Sequence, residues 1–267
     1  MEISNQDVRV RCSDGTEMNA RLSKPVSPEP QPAIIVIHEA WGLNEQIKGV
    51  ARRYAEQGFV ALAPHLFTRN GDVMTEKNIE SAMKLAWSIP PDRRNDPRAV
   101  EQVMTGMSEV EKKVVSFFFL GRDAFEKAAL NDLLSCVEYL KSQSFVLHER
   151  LGVTGFCLGG GLTYQVSTMY PFGASVPFYG ANPKPIESVA KITGPVLGIY
   201  AGEDERVNSG IPALVESMIK FKRAFEMKLY SGVQHAFFNE TRPVYHKPSA
   251  DDAWESAVRF FNRHLRA

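Results

Sequence analysis

The stretch from residue 33 to residue 63 constrains the fold more than any other. "AIIVIH" (33–38) is a β-branched run suited to a strand buried on both faces. "NEQIKGVARRYAEQG" (44–58) follows it. There Ile47, Val50, Ala51, Tyr54 and Ala55 fall at i, i+3, i+4, i+7 and i+8, which makes one apolar helical face. Asn44 suits the N-cap and Gly58 the stop beyond the last turn. "FVALA" (59–63) reads as a second strand. Strand, helix and strand in so short a stretch form a βαβ unit, and a βαβ unit implies a parallel sheet.

The same alternation resumes from about residue 123. A helix (123–143) precedes the strand "LGVTGF" (151–156), and a helix (158–170) follows it. Strands "ASVPFY" (174–179) and "PVLGIYA" (195–201), a helix (210–222) and the strand "FEMKLY" (225–230) come next. A last helix carries Trp254, Ala257, Val258, Phe261 and Leu265 on one face. At the other end, "DVRVRCSDGTEMNARL" (7–22) reads as two short strands around a Ser-Asp-Gly turn. The proline-rich "KPVSPEPQP" (24–32) should continue neither neighbouring element.

Between about 71 and 122 the chain is polar and helix-favouring, is broken by Pro90, Pro91 and Pro97, and ends in a phenylalanine run. Two or three helices over the sheet are expected there, as a cap or as an ordinary covering layer. The expectation is one α/β domain over residues 1–267. It has about eight mostly parallel strands flanked by helices, with a helical insert or cap at roughly 71–122.

Composition removes several function classes. Lysine plus arginine and aspartate plus glutamate are 31 each, and no basic stripe stands out, so a nucleic-acid partner is not expected. The polar start "MEISNQDVRVRCSDG" does not resemble a signal peptide. The densest apolar run, "VVSFFFL" (114–120), is far shorter than the ~20 residues that cross a bilayer. Cys12, Cys136 and Cys157 are odd in number and widely spaced, with no disulfide framework and no CxxC metal pattern. The expectation is a soluble, cytoplasmic protein with reduced thiols, no membrane partner and no metal.

"GVTGFCLGGG" (152–161) then asks for an explanation. A nucleophile lifted clear of a sheet needs a sharp strand-to-helix turn, and the strained residue on it tolerates only small neighbours. Gly155 and Gly159 flank Cys157 at the G-x-Nuc-x-G spacing of such an elbow. The helix that follows would aim its N-terminus at the sulfur and favour thiolate. The Leu158 N–H would then form half of an oxyanion hole. The bland alternative is a small buried core cysteine.

Context favours catalysis. In parallel α/β sheets functional groups gather at the carboxyl ends of strands. "GEDERV" places Asp204 just past one strand, and "SGVQHAFFN" places His235 just past another. Cys157, Asp204 and His235 follow in the order nucleophile, acid, histidine that this fold uses. Glu203 and Glu205 compete with Asp204, and the shorter side chain suits the acid loop better. His148, His246 and His264 read as surface residues.

On "HEAWGLN" (38–44), "APHLFTR" (63–69), "GFCLGG" (155–160), "AGEDERV" (201–207) and "GVQHAFF" (232–238) the chain resembles the dienelactone hydrolase family of α/β-hydrolases, over roughly 16–265. The resemblance implies the triad Cys157, His235 and Asp204. It implies that Glu39 contacts the resting thiol and helps generate thiolate, and that Ala40 supplies the second oxyanion N–H. It further implies that Arg69 pairs with a substrate carboxylate.

The chain departs from the family pattern in three places. Asn239 stands where a second family arginine, four residues after the histidine, would be, with Arg242 nearby as a substitute. His65 stands where aspartate is usual, and the 71–122 region is longer than in a minimal member. The expected reaction is hydrolysis of a small ester or enol lactone through a thioester, without metal or organic cofactor. The expected assembly is a monomer or small homo-oligomer. A broad carboxylesterase or thioesterase, or a redox-sensing cysteine protein on a hydrolase scaffold, are the alternatives.

Overall fold

Eight strands form one sheet in the order β1-β2-β4-β3-β5-β6-β7-β8. The structure, a computed structural model, describes residues 1–86, 88–90, 93 and 96–266. The strands are β1 (Ile3–Arg11), β2 (Glu17–Pro25), β3 (Gln31–Ile37), β4 (Val60–Pro64), β5 (Val146–Phe156), β6 (Ala174–Phe178), β7 (Val196–Ala201) and β8 (Phe225–Tyr230). β2 runs antiparallel to both β1 and β4, and every pair from β4 to β8 is parallel. This is the mostly parallel sheet expected from the βαβ pattern, and the α/β-hydrolase architecture that the resemblance implies.

Burial explains the two faces. In β3, Ala33, Ile35 and Ile37 join one core and Ile34 and Val36 the other, the period-2 alternation of a strand covered on both sides. One face is covered by α1 (Glu45–Glu56) and α9 (Lys247–Leu265). Asn44 caps α1 as expected, its side chain accepting from Ile47 N, and Gly58 takes φ 86° just beyond the end. The other face carries α5 (Arg122–Lys141), α6 (Leu158–Ser167) and α8 (Ile211–Lys220), with the short α7 (Glu205–Asn208) before α8.

The described residues of the 71–122 region are largely helical. It holds α2 (Glu76–Ala86), α3 (Pro97–Met104), α4 (Glu109–Val115) and a π turn over Ser116–Leu120. Ser108 and Glu111 close a capping box at the start of α4. The π turn presents Phe117 to Phe67 and Phe125, with ring centroids 5.4 and 4.8 Å away. Those aromatic contacts fasten the region to the loop after β4. Of the expected proline breaks, Pro91 lies outside the described residues, while Pro97 sits in the first turn of α3.

Several boundaries differ from the sequence expectation, and β1 already begins at Ile3. β2 and β3 extend into the proline-rich link as far as Pro25 and from Gln31, because the prolines fall at strand ends. β5 begins at Val146 rather than 151, with its register to β3 shifting between Gln31 and Ala33.

Candidate active site

Five neighbouring strands, β3, β5, β6, β7 and β8, each deliver one polar side chain at their carboxyl ends. β5 delivers Cys157, whose backbone sits at φ 55°, ψ −110° at the entry to α6. That left-handed conformation is strained for any residue with a Cβ. The turn holds because its surroundings admit no side chain. A Cβ on Gly155 would lie 2.2 Å from the Gly159 carbonyl oxygen, and one on Gly159 would lie 2.5 Å from that of Ile37. The G-x-C-x-G spacing is therefore a packing requirement. Cys157 N–H donates to Phe178 O (3.1 Å) and Gly161 N–H donates to Cys157 O (3.2 Å), locking both sides of the turn.

β7 delivers Asp204, which caps α7 by accepting from Val207 N–H (3.4 Å) and accepts a short hydrogen bond from His235 Nδ1. His235 comes from the loop after β8, and Tyr179 packs edge-on against its ring at 4.9 Å. With Nδ1 donating, Nε2 is left facing inward, buried and without a hydrogen-bond partner among the described residues. The thiol of Cys157 lies close enough to couple with this imidazole. Burial pushes the thiol up, but the adjacent imidazolium outweighs it and holds Cys157 below the usual thiol range. Burial pulls His235 down, while the Cys157 thiolate and Asp204 push it up to about 10. For Asp204, burial is again outweighed by His235, and the carboxyl stays below its ordinary value. Thiol and imidazole thus each shift the other toward its charged form, and Asp204 adds to the shift of His235.

β3 delivers Glu39, which is buried. Its carboxylate accepts from Tyr179 O–H (3.1 Å) and Asn239 Nδ2–H (2.5 Å), and no hydrogen bond to the thiol is formed among the described residues. Burial pushes Glu39 above the usual carboxylate range, against the lowering effect of Asn239, His235 and Tyr179. His38, fully buried, donates from Nδ1 to Glu39 O (2.6 Å) and accepts at Nε2 from Leu66 N–H (3.1 Å). Burial pulls it to about 3, so it is neutral and its tautomer is fixed. The N–H groups of Ala40, beside Glu39, and of Leu158, first in α6, donate to no acceptor among the described residues.

The remaining candidates lie elsewhere or are already engaged. Arg69 is gripped by Asp132, which is buried, with Nη2–H donating to Oδ1 at 2.8 Å, and by Asp14 at 2.9 Å. Arg242 stacks 3.9 Å over the Trp41 ring and pairs with Glu80 (2.8 Å) and Glu76 (3.5 Å) of α2. It thereby pins α2 to the loop that follows β8. Cys12 and Cys136 are buried in the core on the opposite face from the one Cys157 packs against. Among the described residues no cluster of three or more histidine, cysteine, aspartate or glutamate side chains could hold a metal, and no helix is long and apolar enough to cross a membrane.

Sequence reasoning missed Tyr179 and the part played by Asn239. Tyr179 stands at φ 36° directly after β6 and before Gly180, a strand-end position of the kind that delivered the other site residues. Asn239 was noticed only as the place of an absent arginine, whereas its amide holds Glu39. Arg206, exposed and two residues past Asp204, also went unremarked, although its charge lowers both Cys157 and Asp204.

Comparison with known proteins agrees with this architecture. Residues 18–265 match the model of the dienelactone hydrolase family. A protein of Saccharolobus solfataricus named "Putative carboxymethylenebutenolidase" is 45% identical over 94% of this chain and 96% of its own. Among solved structures, one from Klebsiella pneumoniae titled a "Putative Dienelactone Hydrolase" superposes with a TM-score of 0.75 at 23% identity, over 98% of this chain and 100% of that one. The dienelactone hydrolase-like promiscuous phosphotriesterase P91 from metagenomic libraries gives 0.73 at 19%, over 99% and 100%. At those identities the structures speak for the shared fold.

Proposed function

The chain belongs to the dienelactone hydrolase family, hydrolases of ester or lactone bonds, and on that premise we propose that Cys157 is its nucleophile, with His235 and Asp204 completing the triad. One observation carries the proposal: Cys157 stands on a strained elbow beside an imidazole whose other nitrogen is bonded to a buried carboxylate.

The sulfur of the thiolate attacks the substrate carbonyl carbon, and the carbonyl electron pair moves onto oxygen. The Leu158 and Ala40 N–H groups receive that oxyanion, each such donor being worth typically ~10²–10³ in rate. The intermediate collapses, the C–O bond to the leaving group breaks, and the His235 imidazolium protonates the departing oxygen. Neutral His235 then takes a proton from water, the hydroxide attacks the thioester, and the acid leaves as thiolate is regenerated. Asp204 keeps Nδ1 protonated throughout, so Nε2 is the nitrogen that exchanges the proton.

Glu39 acts on the charge of the thiolate. As an anion it raises the Cys157 pKa, and its own burial pushes Glu39 above the usual carboxylate range. Tyr179 and Asn239 hold its carboxyl in place.

The substrate we infer is a neutral ester or enol lactone. Thiolate is itself a good leaving group, so activated acyl–oxygen bonds suit this site better than amides. Arg69 and Arg242 each face two carboxylates already, which supports a structural part for both rather than recognition of a substrate carboxylate.

Two measurements test this reading. Cys157→Ala should abolish turnover of a p-nitrophenyl ester with the circular dichroism spectrum unchanged; retained turnover would remove the nucleophile. Matched enol lactones with and without a free carboxylate should be hydrolysed alike. A strong preference for the carboxylate would return an arginine to the substrate.

A further inference from the structure

We infer that β8 is a dimerisation edge, at which two copies of this chain join their sheets by antiparallel pairing of Phe225–Tyr230 about a twofold axis at Met227. β8 ends the sheet order, so one of its sides is paired only with β7. Val196 N–H donates to Ala224 O, and Gly202 N–H donates to Tyr230 O. The even-numbered residues of β8 therefore direct their backbone groups toward β7. Phe225, Met227 and Leu229 direct theirs outward, a row of donors and acceptors unpaired among the described residues.

Natural edges are usually blunted by charge, proline or a covering element. This one is not. Its two charged side chains lie on the α9 face and are held there, Lys228 by Asp252 at 2.7 Å and Glu226 by Arg263. On the other face Phe225 packs under α8, while Met227 is 38% and Leu229 49% exposed. Ile219 of α8, 72% exposed, adds to the uncovered apolar surface of this part of the fold.

The register follows from parity and charge. An antiparallel partner can bond only outward-facing residues to outward-facing ones, so the twofold must pass through a residue and not between two. Centred on Glu226 or Lys228, the pairing sets like charges directly opposite each other, which is destabilising. Centred on Met227, it sets Glu226 against Lys228 of the second copy, and does so twice. It also sets Phe225 against Leu229 twice and Met227 against itself, with all outward backbone groups paired. The contact is isologous and closes at two chains.

Sedimentation velocity on the full chain at micromolar concentration tests this, with circular dichroism as the check of folding. Wild type should sediment at twice the chain mass. Glu226→Lys or Lys228→Glu should weaken the dimer by roughly tenfold or more, since each places two like pairs across the axis. The ion pairs they break within the chain are partly exposed and contribute little to folding. An equimolar mixture of the two variants should dimerise again, because each reversed position then faces an opposite charge. A monomeric wild type, a dimer indifferent to both reversals, or a mixture that fails to recover would each overturn the inference.

Discussion

Replacing Gly155 with alanine puts the geometry of the elbow to a direct test. The added Cβ would stand 2.2 Å from Gly159 O, 2.5 Å from Gly159 C and 2.7 Å from Thr163 Oγ1. The first two are backbone atoms in the first turn of α6, so no side-chain rotation relieves them. Reaching a tolerable 3.0 Å requires that turn to recede by about 0.8 Å, and ordinary contact near 3.4 Å requires about 1.2 Å. Leu158 N–H and Cys157 belong to the same turn and must move with it. Overpacking of this kind costs about 1–3 kcal/mol of stability. A misplacement of about 1 Å in catalytic groups lowers rate by roughly 10². Gly161→Ala is the control within the same helix, since its Cβ has no neighbour nearer than 3.6 Å. It should leave the rate unchanged and raise stability by about 0.4–1 kcal/mol. The assay is kcat/KM on a p-nitrophenyl ester beside thermal melting of both variants. Equal rates and equal melting temperatures for Gly155→Ala and wild type would refute the packing argument.

Three other perturbations follow from the protein's buried and paired charges. His235→Gln removes the cation that lowers Cys157 and leaves its burial unopposed, so the pH midpoint of iodoacetamide labelling should rise above that of a free thiol, roughly 8.5. An unchanged midpoint would dissociate the two residues. The folded-state pKa of His235 is raised to about 10, so its pairing contributes stability fully below its unfolded value of about 6.5 and loses it as pH rises through about 10. The melting-temperature gap between wild type and His235→Gln should narrow across that window. Arg206→Ala should move the labelling midpoint upward by less than His235→Gln does, and added salt should shrink the difference. Arg69→Met leaves Asp132 buried without its partner and should destabilise the chain by about 1–3 kcal/mol. It should leave KM for neutral and carboxylate-bearing substrates equally unaffected.

Most of the parallel sheet was legible because its strands are short, β-branched and separated by helices with one apolar face. The elbow was legible for a different reason: Gly155 and Gly159 are local to Cys157, and the clashes that demand them are local too. What stayed hidden depends on contacts far along the chain. Arg69 reads as a loop cation until Asp14 and Asp132, 55 and 63 residues away, close on it. Asn239 and Glu39 are 200 residues apart, so nothing near either announced their bond. β5 begins earlier than expected: "VLHER" is largely polar, and its strand character shows only in the pairing of Val146 with Gln31 of β3. The π turn at Ser116–Leu120 had no periodicity to betray it, for three adjacent phenylalanines suit any compact backbone that can bury them.

The position of His235 makes the loop after β8 a tether of nearly minimal length. Cys157 follows β5, and β8 lies three strands further along the sheet. At about 4.8 Å per interval the imidazole must come back across roughly 14 Å. Four residues separate it from Tyr230, and the five steps between the two span about 17 Å at full stretch. The chain is not at full stretch, since it turns at Gly232 (φ 73°) and again at Ala236 (φ 67°), and the side chains make up the remainder. Removing any position between 231 and 234 would withdraw the imidazole from the sulfur, however well the sheet beneath it folds.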